Sequence, residues 1–427
     1  MKMKNFCKNM LKKSLLLWML AVCLGMMGCI FDSDEETEVT LLPDSGLFFQ
    51  MFPNDKANND SVDAQLAHGI RLLVHPKATY ELSFDKGEAT EAPRLQLFRL
   101  DVKGDSYYAS KVRVISATES NGRFVYKFTC DENDMAQWAT SLEMNRGFYK
   151  GSTRNVEFKG KGAYSDHMSL NLVAVGNVAE TLDGFTIEEF SDELLKRFRK
   201  YYSSVTIDTL YVSYAQDHPW VGKNYPADEP WVAGRSSRDT MLCELTGWPD
   251  MESALELILV HSIYSDGVVG FSNLFSGNME AGEGSTVLLG THTRSRGSSV
   301  PLTMDEIVET ALHETGHFFG LRHTTSTMRD MSAYYDFSNY EDGLEDTPYC
   351  PELQRSGLVK ESAEGEVDFR IPGMRMRREA KADYNFTLEQ CPDADNFMYP
   401  VVSDVRYSQF SKEQLEIIRS SLMIFPH

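Results

Sequence analysis

Positive charge is in short supply in this chain. Its 427 residues hold 42 lysines and arginines against 63 aspartates and glutamates, a formal net charge of −21. The balance is more negative still once Lys2, Lys4, Lys8, Lys12 and Lys13 are set aside. Such acidity argues against nucleic acid as a partner and against electrostatic binding to anionic lipid. Long apolar runs are also missing: the one candidate, Leu15–Met27, is too short to span a bilayer comfortably. No internal repeat or low-complexity tract appears. Cysteine occurs seven times and histidine ten. Scarcity makes the histidine placement informative, because three of the ten fall between His313 and His323.

The segment opens on Thr303-Met304-Asp305-Glu306, which reads as a helix-starting capping box. Ile307, Val308, Ala311, Leu312 and Phe319 recur at helical spacing. A helix from Met304 to Phe319 places His313 and His317 one turn apart on one face, where two imidazoles can share a metal ion. Zinc bound by nitrogen at about 2.0–2.1 Å needs its ligands within a few Å of each other. His323 cannot join them on a continued helix, since ten residues of helix span roughly 15 Å. The chain must turn back, and Gly320 permits this by taking a left-handed conformation at the helix end. Three neutral ligands leave a fourth position for water, as a catalytic zinc requires. Glu314 lies beside that position and is the candidate general base.

His313-Glu314-x-x-His317-x-x-Gly320-x-x-His323 resembles the extended zinc motif of the metzincin metallopeptidases. The resemblance implies a methionine-containing turn beneath the metal. Asp395-Asn396-Phe397-Met398-Tyr399-Pro400 supplies it, with Met398 as the Met-turn residue. The long interval before it contains Asp346-Thr347-Pro348, Cys350 and then Cys391, an order similar to the pappalysin branch. That branch implies a Cys350–Cys391 disulfide clamping the insert. It also implies calcium held by Asp342, Glu345 and Asp346, for which a solvated acidic loop is the alternative. A tyrosine usually follows the methionine by two residues in that branch; here Pro400 stands there, and no tyrosine ligand is assigned. Cys130 with Cys243 pairs only by elimination, the alternative being Cys130 as a latency ligand to zinc.

At the amino terminus the lysines and the apolar run precede Met26-Met27-Gly28-Cys29, which resembles a bacterial lipobox. Residues 1–28 then read as a lipoprotein signal peptide, with Cys29 the acylated first residue. A plain secretory signal is the alternative, and both readings export the protein. Residues 29–45, including Asp32-Ser33-Asp34-Glu35-Glu36, read as a solvated acidic tether. The expected location is the outer membrane, at the cell surface.

Residues 46–180 show short alternating runs divided by glycine, asparagine and aspartate, the pattern of an antiparallel sandwich. Ser169–Val175 is expected to be its last strand. From 185 to 427 the expectation is a metzincin-like domain: an amphipathic helix at Ile187–Tyr202, strands at Val205–Tyr214, Leu255–His261 and Thr286–Gly290, the histidine helix, and a closing helix over Glu413–Leu422. In metzincins the strand before the histidine helix edges the cleft, so Thr286–Gly290 is expected to bind an extended peptide by strand addition. The Gly267–Gly270 and Gly282–Gly284 segments read as turns, and His261 and His292 as packing or surface histidines.

The fold class expected is thus α+β, a twisted sheet with an active-site helix preceded by an all-β domain. The function expected is that of a zinc endopeptidase acting on extracellular proteins or peptides. Water polarised by zinc would be the nucleophile and Glu314 the general base and acid. The rival reading is a surface binding lipoprotein whose 46–180 region captures a ligand while the zinc domain is latent or secondary. Nothing in the sequence sets an oligomeric state.

Overall fold

A computed structural model describes residues 47–49, 69–103, 106–144, 147–148, 153–160, 165–234, 242–249, 251, 254–273, 279, 285–295, 298–325, 342–351, 375–379, 387–400, 409–424 and 427. The signal segment, Cys29, the acidic tether and Gly282–Gly284 lie outside these residues. The fold is mixed α+β, rich in sheet and with few helices among the described residues.

The alternating runs after residue 46 form two antiparallel sheets. One has the order 47–49, 156–159, 79–85, 123–129, 118–120; the other 71–74, 136–144, 94–103, 106–116. Alternation puts Tyr80, Leu82 and Phe84 on one buried face, and Leu95 and Leu97 on another. The two faces meet where Phe128 stacks on Trp138 with ring centroids 6.2 Å apart. The same apolar cluster continues into the helices and the third sheet, and Leu42–His427 forms one compact unit.

The third sheet positions the histidine helix. Its main strands are β1 (His167–Ala174), β2 (Thr206–Tyr214), β3 (Ala254–Ile263), β4 (Val268–Asn273), β5 (Thr286–Ser295), β6 (Ser298–Pro301) and β7 (Arg375–Glu379). The order is β2-β1-β3-β5-β4-β7, with β6 paired to β5. The first four in that order are parallel; β4 and β7 are antiparallel to their neighbours. Two expectations are corrected here. The strand expected to close the sandwich is β1, inside this sheet between β2 and β3. It is buried at seven of its eight positions, which suits a strand covered on both faces. Thr286–Gly290 is not an edge: β5 pairs with β3 on one side, while Leu288 and Leu289 pair with Phe271 and Gly270 of β4 on the other.

Three helices of eight residues or more are described. Helix α1 (Ile187–Tyr201) starts at a capping box, Thr186 with Glu189, and buries Ile187, Phe190, Leu194 and Phe198. Helix α2 (Met304–Phe318) carries the histidines. Arg197 of α1 reaches Asp305 in the first turn of α2 at 2.7 Å, and Tyr202 donates its hydroxyl to Leu312 O at 2.7 Å. Helix α3 (Lys412–Ile424) opens on the expected Ser411 and Gln414 box: Ser411 N donates to Gln414 Oε1 at 2.9 Å, and Gln414 N to Ser411 Oγ at 3.1 Å. No helix of the described residues is long and apolar enough to cross a membrane.

Candidate metal centre

Helix α2 begins as the sequence requires. Thr303 N donates to Glu306 Oε2 at 2.8 Å, and Glu306 N to Thr303 Oγ1 at 3.3 Å, closing the capping box. Every residue from Ile307 through Phe318 is buried, and one side of the helix lies on β4 and β5. The helix stops at Gly320, whose φ of +97° lies in the region that only glycine enters freely. Gly320 N donates to His317 O at 2.9 Å and Leu321 N to Gly316 O at 3.0 Å. That pair of bonds is a Schellman motif, and it turns the chain back toward the helix.

The turn delivers His323 to the other two histidines. The three Nε2 atoms lie 3.1 Å (His317 to His313), 3.2 Å (His317 to His323) and 3.3 Å (His323 to His313) apart. All three residues are buried, at 2 % exposure or less. His313 Nδ1 faces Phe397 O, and His317 Nδ1 lies 2.7 Å from Leu321 O. A carbonyl only accepts, so both Nδ1 atoms carry the proton and both Nε2 atoms present lone pairs. Lone pairs facing each other at such distances repel unless a cation lies among them. A tetrahedral zinc with nitrogen ligands at about 2.05 Å sets them about 3.3 Å apart. The donor set and its spacing therefore fit zinc. No other group of three histidine, cysteine or acidic side chains suited to a metal occurs among the described residues.

The carboxylates expected to hold calcium have other partners. Asp342 accepts from Leu344 N and the Thr347 hydroxyl, Asp346 accepts from Glu413 N, and Glu345 lies 3.5 Å from Arg154. Burial pushes the Asp342 carboxyl well above the ordinary range. Cys350 and Cys391 form the expected disulfide. Cys130 and Cys243 form none: Cys130 is buried in the cluster of the antiparallel sheets, and Cys243 in a second cluster on the other face of the third sheet. Neither belongs to the histidine group, so the latency-ligand alternative for Cys130 falls as well. His261 and His292 stack on each other, centroids 4.0 Å apart, and take no part in the centre.

Met398 lies under the helix. It is fully buried, and a Cβ added to Gly316 would meet its Sδ at 2.5 Å. Gly316 therefore lets the methionine rise to the helix backbone beside His317. The turn is held by Asn396, whose Oδ1 accepts Met398 N at 2.8 Å and whose Nδ2 donates to Gln414 at 3.0 Å. Tyr399 directs its hydroxyl to Cys350 Sγ. Glu314 is fully buried with its carboxylate against β4. A Cβ on Gly270 would sit 2.7 Å from Glu314 Oε1, 2.7 Å from its Cγ and 2.4 Å from Thr310 Cγ2. Sequence reasoning assigned Gly270 to a turn. Only Gly267, at φ +74°, belongs to one; Gly270 is in the strand, where a glycine often marks a close approach.

No family model matches the chain, and no curated protein matches it in sequence. Among solved structures it is similar to metalloproteinase-II from Bacteroides fragilis, at 13% identity over 57% of this chain and 85% of that one, with a TM-score of 0.23. It is also similar to the M60 catalytic domain of ZmpC from Clostridium perfringens, solved with the sialyl T antigen (11% identity, 70% of this chain and 56% of that one, TM-score 0.14). A family two carbohydrate esterase from Clostridium thermocellum gives 7% identity over 52% of this chain and 63% of that one, with a TM-score of 0.13. All of these scores are low, and the reading of the site rests on its own geometry.

Proposed function

We propose that this protein is a zinc-dependent endopeptidase acting on extracellular proteins or peptides. The observation that carries the reading is the convergence of three buried imidazole Nε2 atoms 3.1–3.3 Å apart, with Glu314 on the helix that bears two of them. His313, His317 and His323 would hold the metal. When bound, zinc supplies Lewis acidity, which brings the pKa of water toward neutral and stabilises negative charge on a carbonyl oxygen. The carbonyls of Phe397 and Leu321 fix two of the rings so that their lone pairs keep facing inward. Glu314 takes the proton of the attacking water and hands it to the leaving amine. Gly270 leaves the space in which its carboxylate rests, and Met398 forms an apolar floor without ligating.

The test is zinc content and casein cleavage by the chain from residue 30, wild type beside Glu314→Ala. The variant is expected to retain equimolar zinc and to lose activity by on the order of 10²–10⁴-fold. Proteolysis persisting in the variant would sink the role of Glu314, and a wild type that takes up no zinc would sink the centre itself.

The residues Met26-Met27-Gly28-Cys29 support a further reading, that the chain is exported and anchored to the outer membrane by a lipid on Cys29. Cys29→Ser is expected to leave the membrane fraction; unchanged fractionation would contradict the anchor.

A further inference from the structure

We propose that Asp393 is a positioning residue for the third metal ligand, His323, and thereby sets the affinity of the centre for zinc; this rests on the reading of the three histidines as a metal site. His313 and His317 are held by a helix, but His323 lies beyond it, in a segment with no regular structure. Its neighbours supply the constraint. Thr324 N donates to Met398 O at 3.0 Å. The hydroxyls of Thr324 and Thr325 both donate to one oxygen, Asp393 Oδ2, at 2.6 and 2.8 Å. Thr325 Oγ1 in turn accepts Cys350 N at 2.6 Å. Asp393 follows the disulfide cysteine Cys391 by two residues and precedes Met398 by five. A single carboxylate oxygen thus ties the segment that carries the third ligand to the turn beneath the metal and to the disulfide.

All of these groups are buried: Thr324 and Thr325 fully, Asp393 to 1 % exposure. Burial makes the bonds directional and costly to lose, because neither hydroxyl has water to turn to. The second oxygen, Asp393 Oδ1, is buried without a hydrogen-bond partner. A carboxylate buried on such terms is an expensive way to fill a core position, and it is the acceptor two adjacent hydroxyls require. Groups that orient a metal ligand from behind commonly set affinity by one to two powers of ten.

The experiment is a zinc affinity measurement on the purified protein, by competition with a chromophoric chelator. Wild type, Asp393→Ala, Asp393→Asn and Thr324→Val are compared, with thermal melts of each metal-free protein. Asp393→Ala is expected to weaken zinc binding by on the order of 10–100-fold while its metal-free form still melts cooperatively. Asp393→Asn keeps an acceptor for both hydroxyls and should stay within about threefold of wild type. Thr324→Val removes one donor at constant shape and should lose about tenfold, which keeps the test decisive if Asp393→Ala does not fold. The visible spectrum of the cobalt-substituted protein should shift in Asp393→Ala and not in Asp393→Asn. Unchanged affinity in Thr324→Val together with a lowered metal-free melting temperature in Asp393→Ala would make the network merely structural and overturn the proposal. A wild type that binds no zinc would instead overturn the metal centre on which the proposal stands.

Discussion

Gly270→Ala adds one methyl group to a strand and touches none of the three histidines. Its Cβ would sit 2.4 Å from Thr310 Cγ2 and 2.7 Å from both Cγ and Oε1 of Glu314. Carbon atoms at rest lie about 3.5–4.0 Å apart, so roughly 1 Å must be found somewhere. Thr310 gives little: it is β-branched on a helix, and its hydroxyl is bonded to Glu306 O at 2.7 Å. The helix is buried along this face, so it does not retreat freely. Glu314 has the freer side chain and should absorb most of the shift by leaving its rotamer. Overpacking of this kind costs about 1–3 kcal/mol of stability. Misplacing a catalytic group by about 1 Å costs on the order of 10²-fold in rate. The expected result is a protein with equimolar zinc, a melting temperature a few degrees lower, and kcat on a quenched fluorogenic peptide reduced about 10²-fold at little change in KM. A variant that keeps wild-type kcat with full zinc would refute the placement of Glu314 against β4 as the working one.

Two further outcomes follow from buried groups in the lower part of the site. Removing the Cys350–Cys391 disulfide, which closes 41 residues, with Cys350→Ser and Cys391→Ser should cost about 4 kcal/mol in urea melts; a loss under about 1 kcal/mol would mean that the insert needs no clamp. Burial raises the Asp393 carboxyl from 3.8 to about 6, against the pull of the two threonine hydroxyls, which corresponds to about 3 kcal/mol. The folded state holds that proton more tightly than the unfolded chain, so the stability it contributes is full below about pH 4 and is lost as pH rises through about 6. Asparagine does not titrate, so metal-free Asp393→Asn should gain on wild type by about that amount between pH 4 and 7; a difference independent of pH would remove the carboxyl from this account.

What the sequence made legible is local. The capping box at Thr303, the four-residue histidine spacing and Gly320 are each settled within one or two turns of chain, and the Schellman motif at Gly320 is the form that the return of His323 had to take. The Met398 turn and the Cys350–Cys391 pair came from resemblance; the structure sets Met398 against Gly316 of the helix and joins the two cysteines. What failed depended on pairing between distant segments. Ser169–Val175 carries Leu, Leu, Val, Ala and Val with little alternation, and Thr286–Gly290 is likewise almost wholly apolar. Both patterns suit strands flanked on each side in a parallel sheet, and neither suits a sandwich face or a cleft edge. Read that way, the sequence would have placed β1 and β5 correctly. Gly270 and Asp393 lacked even that signal, since one glycine in a strand and one aspartate in a polar turn have no periodicity to mark them. Their roles exist only because β4 lies on Glu314 and because Thr324 and Thr325 come round after Gly320. The candidate ligands and base therefore fall within eleven residues, while the groups that hold those residues in place come from segments about forty positions before them and about seventy to eighty-four after.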